Sequence, residues 1–141
     1  MKKTLLIFLF ITSLSSFSQF KITGYFDTEI GISYAISDKL QTEVRFNDNL
    51  NIEFNTEVSL LYKVASKEAY NLNFGVGIST FPFHSDNINL FESFFLPFQI
   101  EITPFKEVRN IGLVLESAYH FSDVTDASGI RNSIGIRYTF N

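Results

Sequence analysis

Ile111-Gly112-Leu113-Val114-Leu115-Glu116-Ser117-Ala118-Tyr119-His120-Phe121, with Ser133-Ile134-Gly135-Ile136-Arg137-Tyr138-Thr139-Phe140 after it, decides the fold. In the first segment Ile111, Leu113, Leu115, Tyr119 and Phe121 fall on odd numbers, while Gly112, Glu116, Ala118 and His120 fall between them. In the second, Ile134, Ile136, Tyr138 and Phe140 alternate with Ser133, Gly135, Arg137 and Thr139. Successive side chains of a strand point to opposite faces, so a period of two marks strands with one greasy and one small or charged face. A polar loop, Asp123 to Gly129, separates the two and makes them a hairpin.

The same rhythm extends upstream. Ile22 to Ile36 carries Phe26, Ile30, Ile32, Tyr34 and Ile36 on even numbers, against Asp27, Glu29, Gly31, Ser33 and Ala35. Ser37-Asp38-Lys39 reads as a turn, because Ser and Asp bond their own backbone. Leu40, Val44 and Phe46 continue the pattern, and Asp48-Asn49 reads as a second tight turn. A long run follows from Leu50 to Val64, a turn at Ser66–Ala69, and a run from Leu72 to Ile78. Pro82 to Asn89 reads as a loop, Phe94 to Ile102 as a strand, and Pro104 to Arg109 as a turn. Pro97 cannot donate to a ladder, so a bulge is expected there. Seven strands are visible. Closed single-chain barrels have even counts, so about eight are expected, the extra one hidden in Ile22–Ile36 or between Pro82 and Pro104.

The N-terminus reads as a targeting segment. Lys2 and Lys3 precede the apolar stretch Thr4–Leu14, and Ser16 and Ser18 supply small residues before Gln19. This is the pattern of a cleaved signal peptide over residues 1–18, leaving one domain over 19–141. With no cysteine, neither a lipid-modified N-terminus nor disulfide staples are available. No later segment approaches the roughly 18 to 20 continuous apolar residues of a spanning helix, so strands would have to do any crossing. Without Lys2 and Lys3, nine basic residues face fifteen acidic ones, a balance that argues against nucleic acid.

Alternation alone fits a membrane barrel or a soluble one, and the polar face separates them. A water-facing exterior is normally rich in lysine and glutamate. Here that face has few lysines and many small residues, among them Gly31, Ser33, Gly75, Gly77, Ser79, Gly112 and Ala118, which suit the crowded interior of a narrow barrel. Its charges come as candidate pairs: Arg45 opposite Glu53 across a hairpin centred near Asn49, and Arg137 near Glu116. Glu29, Glu43, Glu57 and Glu101 would join Arg45, Arg137 and Lys63 in an interior ion network. The reading is an all-β, antiparallel, up-and-down transmembrane β-barrel with its apolar face toward lipid.

The signal Met1–Ser18, the segment Leu96-Pro97-Phe98-Gln99-Ile100-Glu101-Ile102-Thr103-Pro104-Phe105 and the ending Gly135-Ile136-Arg137-Tyr138-Thr139-Phe140 resemble the small outer-membrane β-barrels of Gram-negative bacteria, the OmpA/OmpX and porin-family type. The resemblance implies an outer-membrane location, lipid as surroundings, periplasmic chaperones and barrel-assembly machinery as partners, a monomer, no cofactor, and a structural or interaction role rather than catalysis. Asn141 follows Phe140, so the aromatic terminal signature is displaced by one residue.

Two other readings remain. His120-Phe121-Ser122 is similar to the His-x-Ser of outer-membrane lipid A deacylases of the PagL type, where serine is nucleophile and histidine base. That family adds a glutamate on the next strand and presents the dyad to lipid. Here no glutamate lies between Asp126 and Asn141, and His120 and Ser122 share the polar face. The second is a soluble secreted carrier holding an apolar ligand. His84 with Asp86 is too sparse for a metal site, and Gly75-x-Gly77 lies mid-strand, not ahead of a helix as a phosphate loop requires.

Overall fold

The computed structural model describes residues 20–49, 53–81, 91–105, 107–121 and 128–140. The signal-peptide expectation, the Pro82–Asn89 loop with His84, Ser122, and all of the Asp123–Gly129 loop but its last two residues lie outside them.

Eight strands form a closed antiparallel up-and-down barrel, each paired with its neighbours in chain order. They are β1 (Phe20–Tyr25), β2 (Glu29–Ala35), β3 (Leu40–Asn49), β4 (Glu53–Ser66), β5 (Tyr70–Thr80), β6 (Phe91–Ile102), β7 (Ile111–Phe121) and β8 (Gly129–Phe140). Closure is made by β1 on β8, from Phe20 opposite Phe140 to Tyr25 opposite Gly135. The first and last strands therefore share a rim, called here the near rim, with the β2–β3, β4–β5 and β6–β7 turns. The opposite strand ends, with the bend between β1 and β2, form the far rim.

The eighth strand comes from the Ile22–Ile36 run, which breaks at Phe26-Asp27-Thr28 into β1 and β2. Thr28 sits at φ 66°, the left-handed region usually held by glycine or asparagine. A three-residue hairpin loop needs one such residue, and here a β-branched side chain fills it. Its Oγ1 donates to the carbonyl of Asp27 at 2.6 Å. Without glycine, proline or asparagine at the bend, the alternation looks continuous.

Two further expectations are corrected. Asn49 pairs with Glu53, so Asp48 and Asn49 belong to β3 and not to a turn, and Arg45 lies opposite Glu57, not Glu53. Pro97 forms no bulge: it pairs with Ala118 in a continuous β6–β7 register. The β5–β6 partners resume after it in the same phase, with Phe98 on Phe74 and Phe95 on Gly77. The irregularities fall instead between Lys63 and Ala65 and between Ser79 and Thr80.

The barrel is apolar outside and polar within. Phe74 and Ile134 are 47% and 48% exposed on the outer wall, whereas Glu43, Arg137 and Gln99 are fully enclosed. Among the described residues, inward apolar or aromatic side chains are few: Tyr25, Leu61, Phe95, Pro97, Val114 and Ala118. Glycines make room for them. A Cβ on Gly77 would lie 2.3 Å from Cζ of Phe95, and one on Gly75 would lie 2.3 Å from the Leu60 carbonyl oxygen. By contrast, nothing lies within 4 Å of a Cβ at Gly24, on the outer wall.

Gly77→Ala should therefore destabilise the barrel by about 1–3 kcal/mol through overpacking against Phe95, while Gly24→Ala changes little. Unfolding midpoints of the two variants check this. Equal midpoints would contradict the packing of Phe95 across the lumen.

Candidate functional site: the ion-filled lumen

Inward positions of a strand recur every second residue, and on eight strands they converge on one axis. Charges there have left water and must find partners inside. The structure joins eight of them in a chain of alternating sign. Lys21 Nζ donates to both oxygens of Glu101, at 3.1 and 3.0 Å. Arg137 Nη1 takes Glu101 Oε2 at 2.9 Å, its Nη2 takes Glu43 Oε2 at 2.5 Å, and its Nε donates to Thr23 Oγ1 at 2.7 Å. Arg45 Nη2 reaches the other oxygen of Glu43 at 2.9 Å. The same guanidinium binds both oxygens of Glu116, at 2.9 and 2.7 Å. Arg131 donates to Glu116 at 3.1 Å and ends the chain on Glu57. Glu29 branches from it, 3.2 Å from Arg45 and 3.8 Å from Arg131.

Neutral groups satisfy further lone pairs of Glu43 and Glu116. Tyr25 Oη and Ser33 Oγ donate to Glu43 at 2.9 and 2.7 Å, and Gln99 Nε2 donates to Glu116 at 2.7 Å. The Arg45 guanidinium also lies 4.0 Å over the Tyr25 ring, a cation–π contact. Every strand but β5 supplies a charged member. The network is thus a cross-brace between walls distant in sequence, with Arg137 joining β8 to β3 and β6.

Of the residues singled out in the sequence, Glu29, Glu43, Arg45, Glu57, Glu101, Glu116 and Arg137 are buried in this lumen. The side chain of Glu53 is not among those described. Arg137 does not neighbour Glu116: it stands opposite Gly112, and Glu116 faces Ser133. Lys63 is half-buried near the near rim and outside the chain. Lys21 and Arg131 were missed. Both continue inward-facing series of period two, Lys21 with Thr23 and Tyr25, Arg131 with Ser133, Gly135 and Arg137. A first run that begins at Ile22 leaves Lys21 out, and a last run that begins at Ser133 leaves Arg131 out.

At the far rim the lumen opens into a vestibule of about 300 Å³ lined by Glu29, Glu57, Arg131, Asn47, Ser79 and His120 among others. His120 points inward, its Nδ1 3.2 Å from Ser93 Oγ and its ring stacked on Phe95 at 4.9 Å. It therefore faces away from the wall on which a PagL-type dyad would meet lipid. Among the described residues no group of three or more His, Asp or Glu side chains could hold a metal ion. No protein-family model, curated protein or solved structure matches the chain.

Arg137→Ala leaves Glu43 and Glu101 without their shared cation. It should lower stability by about 3–5 kcal/mol, the usual effect of breaking a buried ion pair. Lys63→Ala removes no ion pair of the chain and should stay within about 0.5 kcal/mol. Chemical unfolding of both variants measures the difference, and equal losses would contradict the central place of Arg137.

Proposed function

We propose that the chain is a small, monomeric outer-membrane β-barrel, exported by a cleaved signal over residues 1–18, with a structural or interaction role and no catalytic centre. The observation that carries the reading is the inverted distribution of polarity. Ile134, Ile136, Val76, Leu60 and Phe98 are exposed, each between 41% and 51%, while the charged side chains of the ion network are inside. Monomeric soluble proteins rarely expose such a continuous apolar surface, whereas hydrocarbon chains solvate it well.

The wall is also graded in the manner of membrane barrels. Near the near rim stand Phe20, Tyr62, Tyr70, Tyr138 and Phe140, and toward the far rim Phe94, Tyr119 and Phe121, all exposed. Aliphatic residues such as Val58, Val76, Ile134 and Ile136 fill the band between them. Aromatic girdles on both sides of an aliphatic band match the two membrane–water interfaces. Six strands have 10 to 14 residues, sufficient for the roughly 9–11 of a tilted spanning strand, while β1 and β2 are shorter at 6 and 7.

The filled lumen favours a barrel that does not conduct bulk solute, because the axis is occupied by the Arg45–Glu43–Arg137 contacts. The same polar filling disfavours an apolar cargo inside. Closure of β1 on β8 leaves no free sheet edge, which favours the monomer. Phe140 packs on Phe20 at 5.7 Å across this seam and lies outward.

Expression of the full chain in a Gram-negative host tests the reading. The protein is expected in the outer-membrane fraction and, in a detergent gel, should migrate differently unless boiled. Recovery as a freely soluble monomer without detergent would overturn it.

A further inference from the structure

At the near rim, groups that donate hydrogen bonds converge on one small mouth. Lys21, Lys39, Lys63, Gln41, Asn73 and Asp38 line it. Lys21 is neutralised by Glu101. Lys39 and Lys63 form no ion pair among the described residues, and Asp38 offsets only one of them, so the mouth holds a surplus positive charge. Two buried amides add direction. Gln41 is 6% exposed and Asn73 2%, yet Gln41 Nε2 and Asn73 Nδ2 donate to no group among the described residues. Buried N–H groups are costly to leave unpaired. Apart from the Asp38 carboxylate, the charged and unpaired groups identified at this mouth are cations or donors, and their surplus is the complement of an anion that accepts several hydrogen bonds.

The backbone around the mouth is fastened. Lys63 N–H donates to the Lys39 carbonyl at 2.8 Å, and the turn before it is held by Ser37 Oγ accepting from Leu40 N–H at 3.2 Å. The enclosed part measures about 20 Å³, room for one oxygen-sized atom. We propose that this mouth binds a phosphate group, one oxygen seated toward Gln41 and Asn73 and the others facing Lys39 and Lys63. Lysines suit this task as point charges.

The phosphate can come free in solution or from the headgroup of an anionic phospholipid. Leu40 pairs with Tyr62, an exposed aromatic of the near-rim girdle, which puts the mouth at headgroup height. The lipid source rests on the membrane reading above, whereas the phosphate site does not.

The test uses the folded protein in non-ionic maltoside micelles, with side-chain amide resonances of Gln41 and Asn73 followed by NMR at constant ionic strength. Inorganic phosphate should move both signals saturably, and a Lys39→Gln/Lys63→Gln double variant, altered only at exposed or half-buried side chains, should bind at least tenfold more weakly. Doping the micelles with phosphatidylglycerol and, separately, phosphatidylcholine identifies the source. Saturable shifts with phosphatidylglycerol alone among the lipids support the site with a headgroup as its ligand, and shifts with inorganic phosphate alone support it with a free anion. Absence of saturable shifts in every titration, or equal affinity in the double variant, would overturn it. Because the phosphate titration needs no bilayer, its failure is distinguishable from failure of the membrane reading.

Discussion

A guanidinium enclosed on every side must be matched by carboxylates, and Arg137 meets that requirement between Glu43 and Glu101. The rest of the barrel follows from it. Taking an ion out of water carries a penalty of several kcal/mol, recovered only where geometry is good and the spare lone pairs are used. Here Thr23, Ser33, Tyr25 and Gln99 complete the geometry, each from an inward position of its strand. A slip of one residue in any register would turn such a set to the outside and bring apolar side chains in. The ion chain therefore specifies the register of seven strands at once, a role in uniqueness of structure more than in net stability.

The inside explains the outside. Eight strands enclose little volume, and once arginines, glutamates and a few large apolar side chains occupy it, glycine and serine are what remain possible beside them. Gly75 and Gly77 yield to Leu61 and Phe95 in this way. The apolar residues displaced from the interior line the outer wall, which water does not solvate well and hydrocarbon does.

Much of the fold was legible in the sequence because alternation is a local signal: β7 stands where it places it, and β8 contains the Ser133–Phe140 run but begins earlier, at Gly129. The β1–β2 bend was not, since Thr28 adopts a backbone conformation that its residue type does not announce. The inward position of most charges was also legible, as it depends on the same period. Their partners were not. Pairing by ladder opposition joins neighbours on adjacent strands, but Arg137 binds Glu43 from five strands away in chain order, and Arg45 binds Glu116 from four. Such contacts cross the lumen and exist only after the sheet closes, so strand spacing carries no trace of them. Donors at the near-rim mouth were hidden for the same reason, being drawn from β1, β3, β4 and β5.

In the proposed outer-membrane barrel, hydrocarbon covers the wall bearing Val76, Ile134 and Ile136. The chain has no cysteine, so single cysteines at these three positions, and at Lys67 in a near-rim turn, can each carry a spin label in reconstituted vesicles. Collision with an oxygen-like relaxant concentrated in the acyl chains should dominate at the three wall positions, and collision with a water-soluble nickel complex at Lys67. Nickel access at positions 76, 134 and 136 equal to that at 67, or protection from both relaxants, would contradict it.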